Sequence, residues 1–459
     1  LKSQNVGINV TNPTAALDID GNMRLTDGTH GEGKVLTSDA SGFASWQMPQ
    51  SSSQPTLGYG QWNPCKSPNL CEYQPGLGGS GKDNFGVGNE LGYSLDIEGD
   101  FAIVGAPLSS YAGIAQSGLA HVYRFFDGQW IWFQTFYDND LNVNDYFGEE
   151  VFIVGNQIFI GTPYDDGPSG ANQGSVTIYR FNGVDWEFSQ KLYGTDAQAE
   201  DKFGSSIDVY GNTLGIGAIN DALIGSTSKI GSVSLFNFNT STASWIFDQK
   251  IYHPSLLNES KFGSSVSLHN NKMVVGAPGS YDEEGTAHVY HKTGTSWVLN
   301  IDLSLATPQI GDLFGRIVAI EGEDIVVSAP YRESGTNIEV GVVVFYRFNG
   351  TTWQQERVRE LQPNENYQNF GTRMDLSNGF LIIGSYQSAN NLGTFEGKCI
   401  IYQKIEHNWV KFEEITDPDS SPNDAMYVVA LDGISKKFVV GAPNFDESKG
   451  KIIFGKFKN

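Results

Sequence analysis

One pattern, repeated seven times at a spacing of about 56 residues, constrains this chain more than any other feature. The consensus is a Phe-Gly pair, an apolar stretch and, thirteen residues after the Gly, a Gly-Ala-Pro turn. The second residue of the pair falls at Gly92, Gly148, Gly204, Gly263, Gly315, Gly371 and, in an eroded copy, Met426. The steps are 56, 56, 59, 52, 56 and 55 residues. A repeat of this length is one supersecondary unit that cannot bury its apolar face alone and must stack on its neighbours. The pattern says much about fold and little about what the chain binds.

The fourth copy shows the order inside a unit. Val266 and Leu268 alternate with serines, as in a strand with one buried face. Asn270-Asn271 form a turn, Met273 to Val275 a second strand, and Gly285 to Tyr290 a third after a polar loop. A last segment carrying Trp297 completes four hairpin-linked strands, which make one propeller blade. Trp130, Trp186, Trp245, Trp297 and Trp353 each stand eighteen residues before the next repeat Gly, and Trp409 stands seventeen before Met426. A large apolar body at one fixed place per blade is expected to pack adjacent blades together. The expected fold is all-β, a seven-bladed propeller of four-stranded blades.

The seventh copy runs out of chain. The usual step from repeat Gly to Trp is 38 residues, which from Met426 overruns the end at Asn459. Upstream, Gly60-Gln61-Trp62 repeats the tripeptide Gly128-Gln129-Trp130. The segment around Trp62 is therefore expected to supply the outer strand of the last blade, with Trp62 as its packing residue. Joining the two ends removes exposed sheet edges.

These residues resemble the FG-GAP repeat family, whose best-known members are the integrin alpha-subunit headpieces. The resemblance covers residues 57–459 and implies a propeller used for adhesion or ligand binding. In calcium-binding members an Asp-x-Asp-x-Asp-Gly loop fills the turn between the first two strands. Here those turns are short, as at Gly155-Asn156 and Asn270-Asn271. They do not offer the six or more oxygen ligands calcium takes. Neither a metal site of the family type nor a cofactor is expected.

Composition narrows the partners. A formal charge of −23 leaves no basic stripe to neutralise phosphates, which argues against nucleic acid. No run approaches 18 consecutive apolar residues, so no membrane-spanning helix is expected. Cys65 and Cys71 lie close in a Pro-rich loop and are disulfide candidates in an oxidising compartment, while Cys399 sits in an apolar run as a buried thiol. The start at Leu1 reads as a processed or trimmed product.

Residues 1–50 form a series of short β-like pieces punctuated by Gly and Asn, followed by a polar linker at 51–56. They resemble segments near the start of secreted surface and tail-fibre-like proteins of Bacteroidetes-type bacteria. So small a piece cannot stand as a domain alone. It is expected to serve attachment or self-assembly.

Candidate binding residues come from the loops between the second and third strands, which share a face with the blade-joining loops. They are acidic and aromatic: Tyr164, Asp165 and Asp166; Tyr281 and Asp282; Tyr331 and Arg332; Phe445 and Asp446. An aromatic beside carboxylates suits sugars, cationic groups or a protein rim. The blade-joining loops add Asp138, Asp140, Asp145, Asp196 and Asp201, among others. No nucleophile elbow, His-Glu-x-x-His or phosphate-cradling loop is present, and His121 and His288 share one place in Ala-His-Val-Tyr third strands. The expectation is a non-catalytic extracellular or cell-surface protein that recognises a protein or glycan. A filament subunit is the alternative, ahead of a polysaccharide-active enzyme.

Overall fold

The computed structural model describes residues 89–457, apart from residue 141 and segments 361–367, 387–396, 417–424 and 445–448, together with short strands before residue 89. The chain divides into two compact units, Leu1–Leu57 and Gly58–Asn459. In the first, Val6–Ile8 pairs parallel with Leu17–Ile19, and Val35–Ser38 pairs antiparallel with Ala44–Gln47.

The second unit is a seven-bladed propeller. Blade 2 is typical: Glu150–Val154, Gln157–Thr162, Ser175–Phe181 and Trp186–Leu192 pair antiparallel in sequence order. The innermost strands of the others are Ser94–Glu98, Phe203–Tyr210, Ser265–His269, Val318–Glu321, Phe370–Ser377 and Val428–Asp432. Second strands such as Lys272–Ala277 are buried from their second residue onward, because each lies between two blades and both faces must be apolar. Outermost strands such as Trp186–Leu192 keep a buried Trp and expose the residues after it.

The repeat motif is explained at the seams between blades. Leu91, Phe147, Phe203, Phe262, Phe314 and Phe370 are at most 1% exposed. The glycines that follow them take φ between +87° and +95°, which favours a residue without Cβ. The Gly that opens each Gly-Ala-Pro turn faces the repeat Gly of the next blade. A Cβ on Gly105 would lie 2.0 Å from the Gly148 carbonyl oxygen, and one on Gly217 would lie 1.9 Å from that of Gly263. Two glycines thus let two backbones touch where blades meet. A parallel bridge between Leu91 and Gly450 joins blade 7 to blade 1 as Gly118 and Phe147 join blades 1 and 2.

Two sequence expectations need correction. In the seventh copy Met426 occupies the Phe place, and Tyr427 the Gly place: the Tyr427 N–H donates to the Gly441 carbonyl at 3.1 Å, as Gly148 does to Gly161. Tyr427 stands 56 residues after Gly371 and 18 after Trp409, so the ruler is regular. The copy itself misleads, because it has lost a residue before its innermost strand and carries a four-residue turn, 433–436, where blade 1 has two.

The second correction concerns closure. The upstream segment does complete blade 7, but through Leu70–Gln74, which pairs with Phe454–Phe457. Asn63–Pro64 then pairs outside it as a fifth strand. In complete blades the outer-strand Trp pairs with the last residue of the third strand or the one before it, as Trp186 does with Phe181 and Trp130 with Phe125. In blade 7 that last residue, Phe457, pairs with Leu70. The tripeptide misleads because at Gly128–Trp130 it belongs to a hairpin within one blade. The closing strand arrives from a remote part of the chain and needs no hairpin there. Trp62 itself, Cys65 and the side chain of Cys71 lie outside the described residues.

The core lies between blades. The six other repeat tryptophans are buried, and several pack on the preceding blade: Trp130 stacks on Phe454 at 4.5 Å, and Trp245 meets Phe159 at 5.8 Å. Glutamines four residues after a Trp tie the outer strands together. Gln134 donates to the Trp186 carbonyl at 2.8 Å and accepts its N–H at 3.0 Å, and Gln190 does the same for Trp245. Cys399 is a buried free thiol whose pKa burial pushes up.

Candidate functional site

The meander puts the starts of first and third strands at one end of the ring with the ends of second and fourth strands. The loops between second and third strands therefore share a face with the blade-joining loops. Beneath this face, buried charges fix the loops. Lys191, on the outer strand of blade 2, reaches Asp138 at 2.9 Å, Asp140 at 2.8 Å and Asp165 at 2.8 Å. Burial alone would lower its pKa, but the carboxylates, Asp138 foremost, outweigh that and hold the ammonium above its ordinary value. The three carboxylates converge closely enough for a metal ion, and the lysine supplies the positive charge at their centre. Blade 3 repeats the arrangement with Lys250, which pairs with Asp196 and with Asp221 at 2.6 Å.

Other blades solve the same problem differently. In blade 4, the His288 imidazole Nδ1 lies 2.7 Å from Asp302, its Nε2 3.0 Å from the Thr286 hydroxyl, and Thr286 donates to Ser280 at 3.0 Å. In blade 5, Arg332 pairs with Asp312 at 2.7 Å. Joining loops carry a further device: Asp145, Asp201 and Asp312, three residues before a repeat Gly, each accept the N–H three residues earlier, at 2.7 to 2.8 Å.

This geometry sorts the sequence candidates. Asp165 is fully buried in the Lys191 cluster, and Arg332 turns inward to Asp312. Tyr164 stands edge-on to Tyr146 at 5.0 Å with the Lys202 ammonium 4.2 Å above its ring. Asp166 is exposed and accepts the Asn172 N–H at 3.0 Å. Tyr281 and Asp282 are exposed on a tight turn in which they and Glu283 all have φ between +52° and +68°. Tyr331, 41% exposed, lines a cavity of about 540 Å³ between blades 4 and 5. Glu283, Glu333 and Glu339 share it with the joining loop from Gln309 to Leu313. The structure thus brings Tyr331 and the Tyr281 turn to one concavity and leaves Tyr164 apart. Phe445 and Asp446 lie outside the described residues.

A second feature was not among the sequence candidates. A central channel of about 740 Å³ is lined by the innermost strands of all seven blades. Midway along those strands, Asp96, Asp208 and Asp375 clamp blades together. Each accepts the next N–H of its own strand at 2.7 to 2.8 Å. Each also accepts an N–H of the next blade: Ile153 at 2.7 Å, Leu268 at 2.5 Å and Leu431 at 2.6 Å. Nearer the loop face, Tyr93, Glu149, Glu150, Arg316 and Arg373 line the channel at the start of their blades. Burial raises Glu149 and Glu150 to about 7 even though both arginines oppose the shift.

The model of the FG-GAP repeat matches residues 130–179, 186–236 and 245–290. Each match begins at an outer-strand Trp, crosses the joining loop and Phe-Gly pair, and ends in the third strand of the next blade. The chain carries FG-GAP repeats. The FG-GAP fold, here an all-β propeller almost without helix, is compatible with a non-catalytic binding role. Among solved structures, Saccharomyces cerevisiae Sqt1 is similar over 78% of this chain and 81% of its own, at 10% identity and a TM-score of 0.43. No curated protein matches the chain in sequence. Among the described residues, no helix is long and apolar enough to cross a membrane.

Proposed function

We propose that this chain is a non-catalytic recognition protein that works outside the cell or on its surface. The loop face of the propeller is its binding head, and residues 1–50 attach or assemble it. The observation that carries this reading is the concavity between blades 4 and 5, where Tyr331 stands among Glu283, Glu333 and Glu339. An aromatic face ringed by carboxylates suits a cationic side chain or a sugar ring. The buried ion pairs beneath make the loops a rigid platform, which lowers the ordering cost of binding. A hydrolytic reading has less support: the Asp302–His288–Thr286–Ser280 chain has its imidazole and both hydroxyl residues buried.

Glycan and peptide arrays probed with the full chain and with Tyr331→Ala/Glu333→Gln test the proposal. Ligands bound by the first and lost by the second support it; binding that survives in the variant contradicts it. The filament reading draws on a different observation. Outer strands of blades 2 to 4 expose Phe188, Ile246, Phe247, Val298 and Leu299, a surface that suits lateral packing. Negative-stain microscopy of the full chain and of a version lacking residues 1–50 decides it: filaments lost on truncation favour assembly, and their absence from the full chain counts against it.

A further inference from the structure

Arg316 and Arg373 are held differently from the ion-paired cations of this protein. Lys191, Lys250, Arg332, Arg347 and Lys437 each have a carboxylate within 2.9 Å. Arg316 and Arg373 both line the channel, and neither guanidinium has a hydrogen bond or ion pair among the described residues. They belong to neighbouring blades 5 and 6, and burial, joined by their mutual repulsion, lowers the pKa of Arg316. Glu149 and Glu150, on blade 2, feel both arginines without coming within pairing distance of either. On blade 4, at the strand position matching Arg316, the Ser264 hydroxyl is buried without a partner. Two like charges held unpaired in a confined space cost stability, so their retention calls for a guest of opposite charge.

We propose that the loop-face mouth of the channel binds an oxyanion group, a carboxylate or sulfate carried on a small sugar, between Arg316 and Arg373. Planar guanidinium forks match the oxygens of such groups. The channel volume of about 740 Å³ has room for one sugar ring, and Tyr93 and the serines of the first, third and fourth blades give its wall a polar surface. This site is separate from the Tyr331 concavity and stands or falls independently of it. Acidification should favour the guest, because Glu149 and Glu150, facing Tyr93, Lys202, Arg316, Arg373 and, on blade 3, Asp208, lose their repulsion as they are protonated below about 7.

Isothermal titration calorimetry on the full chain with glucuronate, glucose 6-sulfate, inorganic sulfate and neutral glucose tests this. Both acidic sugars should bind and glucose should not. Inorganic sulfate binding as tightly as the sugars would place the recognition in the anion alone and overturn the sugar part of the proposal. Arg316→Gln/Arg373→Gln should weaken acidic-sugar binding by about tenfold or more, whereas Lys229→Gln/Lys411→Gln, which removes equal charge elsewhere, should leave it unchanged. Glu149→Gln/Glu150→Gln should tighten it at pH 8, a gain that does not depend on the arginine variants folding. No heat with either acidic sugar, or binding indifferent to the arginine and glutamate pairs, would overturn the proposal.

Discussion

The buried clusters under the loops and the central channel handle charge in opposite ways. Under the loops, carboxylates are collected around a cation: three on Lys191, two on Lys250, one on Arg332. In the channel, carboxylates and guanidiniums share one space without pairing, and the deep carboxylates Asp96, Asp208 and Asp375 are satisfied by backbone N–H groups. The first arrangement serves the fold. The second leaves positive charge free at a mouth on the face where FG-GAP loops converge, which is what a binding site needs.

The comparison rests on a rigid ring, so the largest expected effect is at a seam. Gly217→Val would drive a Cβ into the Gly263 carbonyl 1.9 Å away, and the ring should fail to close, read as loss of soluble, cooperatively unfolding protein. Gly225→Ala, at an open site with φ of +81°, should cost only about 1 kcal/mol. Trp245→Ala, removing the ring packed on Phe159, should cost about 3–5 kcal/mol in urea unfolding. Equal losses at Gly217 and Gly225 would remove the close backbone approach as the reason for the motif.

A smaller effect is set by pH. Burial raises Glu149, Glu150 and Asp208 to about 7, while unfolded carboxyls titrate near about 4. Between those values the folded ring holds protons that the unfolded chain releases, so stability is lost as pH rises through 7 and regained on acidification. Burial lowers His121 and His253 to about 4, and these act in the opposite sense, costing stability as pH falls below about 6.5. Three carboxyls outnumber two imidazoles, so the melting temperature should rise from pH 8 towards about pH 5, less steeply below about pH 6.5. A monotonic fall from pH 8 would show the channel carboxylates to be paired after all. The smallest effect belongs to the exposed concavity: Tyr331→Ala should change stability by no more than about 0.5 kcal/mol. A larger loss would make it a packing residue.

Much of the ring was legible because the seam needs particular residues. A positive φ and a backbone contact demand glycine, and a slot between blades demands a large apolar side chain, so the period shows in the letters. Closure was legible only in outline: pairing of Leu70–Gln74 with the last strand is non-local, and no turn chemistry marks its register. The Lys191 cluster gathers residues from a blade-joining loop, a loop between second and third strands and an outer strand, and nothing in their spacing announces one cation among three carboxylates. The channel arginines fall one and two residues after the repeat Gly, at places filled by Tyr, Glu or Ser in the first four copies. One signal was present and unread. Glutamine four residues after Trp130, Trp186 and Trp245 marks the inter-blade clamp.

The contrast between the two charge arrangements is tested most directly by unfolding free energies of two variants measured together in urea at pH 7.5. Lys191→Met strands three carboxylates, two of them buried, and should cost about 3–5 kcal/mol. Arg316→Gln/Arg373→Gln removes two repelling, unpaired charges and should leave stability unchanged or raise it by up to about 1 kcal/mol. A loss of several kcal/mol from the arginine pair, with Lys191→Met near neutral, would contradict the account.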